Sequence, residues 1–184
     1  MIDHERKLIF IHIARTGGTS IEVALVGKDW WYIDPDTKHI SAKQACEIYG
    51  KEIWDSYTKF SVVRNPWDRV VSMWATKWWH ESSGIPNNCT FEIFLRNLRP
   101  HPNEKYSTLF YHKILNEDID FILRFETLGE DFCAMLNNMG YKNVRLPHKE
   151  KRRRKPYQEM YNENTRLLVE ELFKNDIEKY NYSF

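Results

Sequence analysis

Apolar positions run almost unbroken through residues 8–13 (LIFIHI), stop at Arg15, and give way to a glycine pair flanked by hydroxyls. A short continuous apolar run predicts a core strand of a parallel sheet. The period then changes. Ile21, Ala24 and Leu25 share one face of a helix expected over residues 19–26. A second core strand is expected over residues 60–63 and a third over 119–125, each followed by helical spacing.

The turn chemistry sets most boundaries. Ser41 and Gln44 form a capping box that opens a helix ending before Gly50. Asn65 caps a helix with Pro66 at its first position, and Val70, Met73, Trp74, Lys77 and Trp78 make its stripe. Thr90 caps a helix over residues 91–97, and another runs over 128–139 to Gly140. Two more helices, over 164–173 and 176–180, close the chain. Residues 30–33 read as a short strand before the Asp34–Pro35 turn. Strands alternating with helices imply an α/β, three-layer architecture: a parallel central sheet flanked by helices, in a single domain over residues 1–184.

Composition narrows the class. Hydrophobic residues make up 42% of 184, enough for a globular core, and the net charge of +1 gives no overall preference for nucleic acid. Cys46, Cys89 and Cys133 are far apart and odd in number, which fits reduced thiols in a cytoplasmic setting and no metal centre. No apolar stretch reaches membrane-spanning length.

Two stretches carry anion-binding chemistry. In the first, Gly17 and Gly18 let the backbone approach an anion at a helix start, where N–H groups point outward. Arg15 adds a fixed charge, and Thr16, Thr19 and Ser20 add hydroxyls. In the second, RNPWDRVVS, Arg64 sits where a core strand ends, the place where open α/β sheets bind ligands. Ser72 lies about two turns beyond the Asn65 cap at ~3.6 residues per turn, so it returns to the face of the cap. Arg64 could instead pair with a structural carboxylate and Ser72 lie exposed. Taken together, the two stretches favour a ligand with two separated phosphate-type groups. A third element, KEKRRRK over residues 149–155, packs six cations into seven residues and could fold over that ligand. The Walker pattern G-x-x-x-x-G-K-[ST] is absent.

The motifs resemble those of sulfotransferases. FIHIARTGGTSIE is similar to their 5′-phosphosulfate loop, usually a Pro-Lys-Thr-Gly-Gly-Thr-Ser run, and FSVVRNPWDRVVSMW to their 3′-phosphate strand and helix. LRFETL and LVEELFKNDIEKYNYSF look like later parts of the membrane-type, carbohydrate branch. The resemblance implies a P-loop nucleotide-kinase-like fold. It implies 3′-phosphoadenosine-5′-phosphosulfate (PAPS) as donor, adenosine 3′,5′-bisphosphate (PAP) as product, no metal, and a saccharide or other small hydroxyl acceptor. Carried over by position, Arg15, Thr16, Gly17, Gly18, Thr19 and Ser20 would hold the 5′-phosphosulfate. Arg64 and Ser72 would hold the 3′-phosphate, and Lys151, Arg152, Arg153 and Arg154 the nucleotide's outer side. Ala14–Arg15 stands where the family has Pro–Lys. Arg15 keeps the charge but cannot give up a proton.

His39, expected at an exposed cleft edge before the Ser41 cap, is the candidate general base, since an imidazole titrates near working pH. His12 reads as structural. His148, His80, His101 and His112 are further candidates, and Glu22 reads as a helix-face residue that could also act as a base. Three other readings stay open: a nucleotide or small-molecule kinase of the same fold, a catalytically inactive nucleotide-binding module, and a nucleic-acid binder using the basic run.

Overall fold

The computed structural model describes residues 1–76, 80, 84–99, 109–142, 144–147 and 155–184. Four strands form one sheet in the order β1-β2-β3-β4: β1 (Ile2–Asp3), β2 (Leu8–Ile11), β3 (Thr58–Val63) and β4 (Phe121–Arg124). β2, β3 and β4 are parallel, as the apolar runs predict. The edge strand β1 departs from that expectation. It pairs antiparallel to β2, with Ile2 opposite Ile9, and two residues are too few to leave a sequence period.

The alternation of the strands sorts the core into two faces. Leu8 and Phe10 of β2 and Phe60 and Val62 of β3 face α1 (Gly18–Val26) and the helix that follows β4, Leu128–Asn138. Phe10 and Phe60 are register partners and stack at 4.8 Å. Ile9, Ile11 and Val63 face the opposite side, against α2 (Ala42–Tyr49) and α3 (Lys51–Ser56). A third apolar cluster joins α4 (Pro66–Thr76), α5 (Phe91–Asn97) and the C-terminal helix Glu163–Leu172. The short helix Tyr111–Ile114 is α6, Leu128–Asn138 is α7, Glu163–Leu172 is α8 and Lys174–Tyr180 is α9.

The capping chemistry folds as read. Ser41 and Gln44 complete their capping box, and the Asn65 side chain accepts from the Trp67 amide at 3.1 Å. Thr90 accepts from Ile93 at 3.3 Å. Residues 30–33 depart from the expected strand: Trp30–Tyr32 is a 3₁₀ turn. Asp29 accepts from the Trp31 amide at 2.8 Å, and the Trp30 indole donates to Thr37 at 2.8 Å, which winds the segment onto itself. Among the described residues, no helix is long and apolar enough to cross a membrane.

Candidate active site

Because β2 and β3 are parallel neighbours, the segments leaving their C-terminal ends emerge side by side. The first is the turn before α1. Arg15 has φ of 70°, in the left-handed region that costs a non-glycine residue roughly 1–2 kcal/mol. Gly17 follows at φ 85° as the N-cap of α1. No side chain caps this helix and no acidic residue lies in its first turn, so no carboxylate offsets its dipole, although the Ser20 amide already donates to the Gly17 carbonyl at 3.0 Å.

The strained turn is held from the second segment. Arg64 Nη1 donates to the Arg15 carbonyl at 2.9 Å, and Arg69 Nε donates to the Ala14 carbonyl at 3.0 Å. Two successive carbonyls are thereby pinned toward α4. The Thr16 hydroxyl is buried and donates to the Ile13 carbonyl at 2.8 Å, so it shapes the turn and has its proton committed there. Thr19 and Ser20 are half-buried in the first turn of α1.

Side chains from the two segments also meet. Arg15 Nε and Nη2 each donate to Ser72 Oγ at 3.0 Å. Ser72 is buried, not exposed. Arg64 also pairs with Asp68 at 2.7 Å, an i,i+4 carboxylate whose spacing in RNPWD is visible in the sequence. The Arg64 guanidinium lies 4.0 Å from the Phe125 ring centroid. A Cβ placed on Gly17 would lie 3.2 Å from the same ring and 3.0 Å from Leu128 Cδ2. Gly17 and Arg64 therefore border one patch at the end of β4. Lys151, Arg152, Arg153 and Arg154 lie outside the described residues.

His39 sits on the other flank of the α1 turn. It is half-buried, not exposed at an edge. Its Nδ1 lies 3.2 Å from the His12 carbonyl, which can only accept, so Nδ1 carries the proton and the Nε2 lone pair is left for other work. Burial, then the neighbouring His12, push the His39 imidazole down to about 3. The two rings are 4.7 Å apart. His12 in turn touches the phosphate-type loop. A Cβ on Gly18 would lie 2.4 Å from His12 Nε2, so only glycine fits there.

Beneath His12 lies a charged cluster that the helical period conceals. Glu22 is fully buried. It bonds His12 Nδ1 at 2.5 Å, Lys38 Nζ at 2.7 Å and the Trp30 amide at 3.0 Å. Lys38 also pairs with Asp29. Burial works against the Glu22 charge, but the His12 and Lys38 partners outweigh it and draw its carboxyl down to about 2. Lys38 adjoins His39, so this cluster fastens the segment that carries the imidazole. Burial lowers the His12 imidazole. Of the other histidines, His112 bonds the buried Asp176 of α9 at 3.0 Å and His80 stacks on Phe94 of α5. His101 and His148 lie outside the described residues. Among the described residues, no group of three or more His, Cys, Asp or Glu side chains could hold a metal ion.

The arrangement offers a cationic, amide-rich turn beside a second strand end that carries the Asp68-paired Arg64, with a neutral imidazole on one flank. Known proteins resemble the chain in fold and in sequence family. A crystal structure of mouse sulfotransferase SULT7A1 complexed with PAP has a similar fold, with a TM-score of 0.59 at 13% identity over 96% of this chain and 86% of that one. No curated protein sequence matches the chain. A family model described as the sulfotransferase family matches residues 1–183, so the chain belongs to the sulfotransferase family.

Proposed function

We propose that this chain, as a single domain, moves a sulfuryl group from PAPS to a hydroxyl of a carbohydrate or another small acceptor. The observation that carries the reading is the meeting of Arg15, Ser72 and Arg64 from two neighbouring strand ends, beside an uncapped helix N-terminus. A bisphosphorylated adenosine carries two anionic groups and needs donors from both strand ends. The mouse neighbour bears PAP on a similar fold, which supports the same nucleotide here.

The donor supplies an activated sulfuryl group on its 5′-phosphate. Arg15 and the amides of Gly17, Gly18, Thr19 and Ser20 would neutralise the charge that builds on the departing phosphate. Arg15 stays protonated throughout, so it acts as an electrostatic clamp and not as an acid. Arg64 and Ser72 would hold the 3′-phosphate, and Lys151, Arg152, Arg153 and Arg154 would cover the nucleotide. His39 Nε2 is the acceptor for the hydroxyl proton, in the tautomer fixed by the His12 carbonyl. Burial keeps the ring neutral at physiological pH, which leaves Nε2 free to accept, and also makes it a weaker base than an imidazole titrating near 6.5.

Incubating the protein with sulfur-labelled PAPS and a panel of saccharides, phenols and small alcohols tests this reading. Label should pass to at least one hydroxyl compound and PAP should accumulate. PAP binding with no transfer to any acceptor would favour an inactive nucleotide-binding module. Magnesium-dependent turnover of ATP would favour a kinase.

A further inference from the structure

Arg69 and Tyr111 touch both candidate anion segments at once, and neither has an exposed face from which to meet a ligand. Arg69 is 1% and Tyr111 0% exposed. Arg69 Nε donates to the Ala14 carbonyl at 3.0 Å, one residue before the cationic turn. Its Nη1 donates to the Leu109 carbonyl at 2.6 Å, and its guanidinium lies 4.8 Å from the Tyr111 ring centroid. Tyr111 holds the second segment. Its hydroxyl donates to the Arg64 carbonyl at 2.6 Å and accepts from the Arg64 amide at 3.2 Å. Arg64 lies just past the end of β3, where no strand neighbour remains to serve its backbone. One phenol takes over both of its polar backbone groups. Tyr111 is itself fixed from below, because its amide donates to the buried Asp176 of α9 at 2.8 Å.

We propose that Arg69 and Tyr111 are positioning residues that set the separation of the two anion sites, so that one nucleotide engages both together. The proposal rests on the two-site reading above and deepens it. Loss of the clamp should leave each site able to bind its own phosphate. What is lost is the advantage of presenting both to one molecule, since a linked pair of contacts gains only when the spacing matches.

The test compares three probes on the full chain: PAP, adenosine 5′-monophosphate and adenosine 3′-monophosphate. Binding is measured by calorimetry for wild type, Tyr111→Phe and Arg69→Lys, with an unliganded melting curve for each. Tyr111→Phe keeps the ring under Arg69 and removes only the hydroxyl at Arg64. We expect PAP affinity to fall roughly tenfold while each mononucleotide changes less than about twofold. An unchanged PAP affinity, or an equal fall for all three probes, would overturn the positioning role. Collapse of both variants in the melting curves would also overturn it, leaving the pair as fold support alone. Failure of wild type to bind PAP is a different result and would remove the two-site reading itself.

Discussion

Arg15 and Ser72, 57 residues apart in the chain, share two hydrogen bonds of 3.0 Å from one guanidinium to one hydroxyl. The contact joins the turn after β2 to the second turn of α4. It turns two separate motifs into one cationic surface.

Replacing Arg15 by Ala removes the charge nearest the departing phosphate together with the bridge to Ser72. Removing one such preorganised donor costs on the order of 10²–10³-fold in kcat. Arg15→Lys keeps the charge but not the planar fork that reaches Ser72. Its kcat should fall between those of wild type and Arg15→Ala. Steady-state rates with labelled donor check both. A fully active Arg15→Ala would remove this side chain from the chemistry.

Gly18→Ala should destabilise the protein even though alanine is the better helix former. The new methyl would sit 2.3 Å from His12 Cδ2, and His12 is held in place by Glu22. Overpacking of this kind costs about 1–3 kcal/mol. At roughly 2–4 °C per kcal/mol for a chain of this size, the melting temperature should drop several degrees. Gly27→Ala is a control without crowding, since nothing lies within 4 Å of a Cβ there, although its φ of 77° still strains any side chain. Equal Tm losses in the two variants would mean that His12 yields.

His39→Ala should cut transfer by about 10²–10⁴-fold and leave PAP affinity nearly intact. The pH profile is a second check. The folded imidazole lies near 3, below its ordinary 6.5, so it is neutral over the whole range above about pH 5. On its account kcat/KM should show no acid limb near 6.5. Such a limb in wild type, absent from His39→Ala, would mean that the ring is solvated in the working enzyme.

Glu22 links pH to stability. Its carboxyl is drawn from 4.5 down to about 2 in the fold, so the unfolded chain binds its proton first as pH falls. The stabilisation is fully present above 4.5 and is lost as pH falls through about 2. Glu22→Gln should flatten that part of the stability curve and lower stability at neutral pH, because Lys38 would stay buried beside an uncharged amide. Denaturant melts of wild type and variant across that window decide it. Parallel curves would show that the Glu22 carboxyl titrates alike in the folded and the unfolded chain.

What the sequence discloses follows from what is local. The strands around Phe10 and Phe60, the Ser41–Gln44 box and the Asn65–Pro66 helix start depend on neighbours a few residues away, and each is legible. Helix α3 is not, because Gly50 at φ 88° both ends α2 and starts α3, and six residues are too few to show a helical period. Glu22 reads only as a helix-face residue because the partners that make burial tolerable, His12 and Lys38, come from other parts of the chain. The strand expected at Trp30 fails for a similar reason, since Asp29 and Thr37 satisfy its polar groups in a turn. The site residues Arg15, Arg64 and Ser72 are visible as types and spacings. Of their partners Asp68, Phe125, Arg69 and Tyr111, only Asp68 has a local spacing that signals it.

Titration of PAP into wild type, Arg64→Ala and Arg96→Ala, followed by calorimetry and by melting temperature, addresses the two-site claim most directly. Arg96 is an exposed arginine on α5, paired with Glu92 at 2.7 Å, and serves as the control for lost charge. The account expects PAP to raise the wild-type melting temperature, Arg96→Ala to respond alike, and Arg64→Ala to lose most of the shift. No shift at saturating PAP, or equal responses from the two variants, would contradict it.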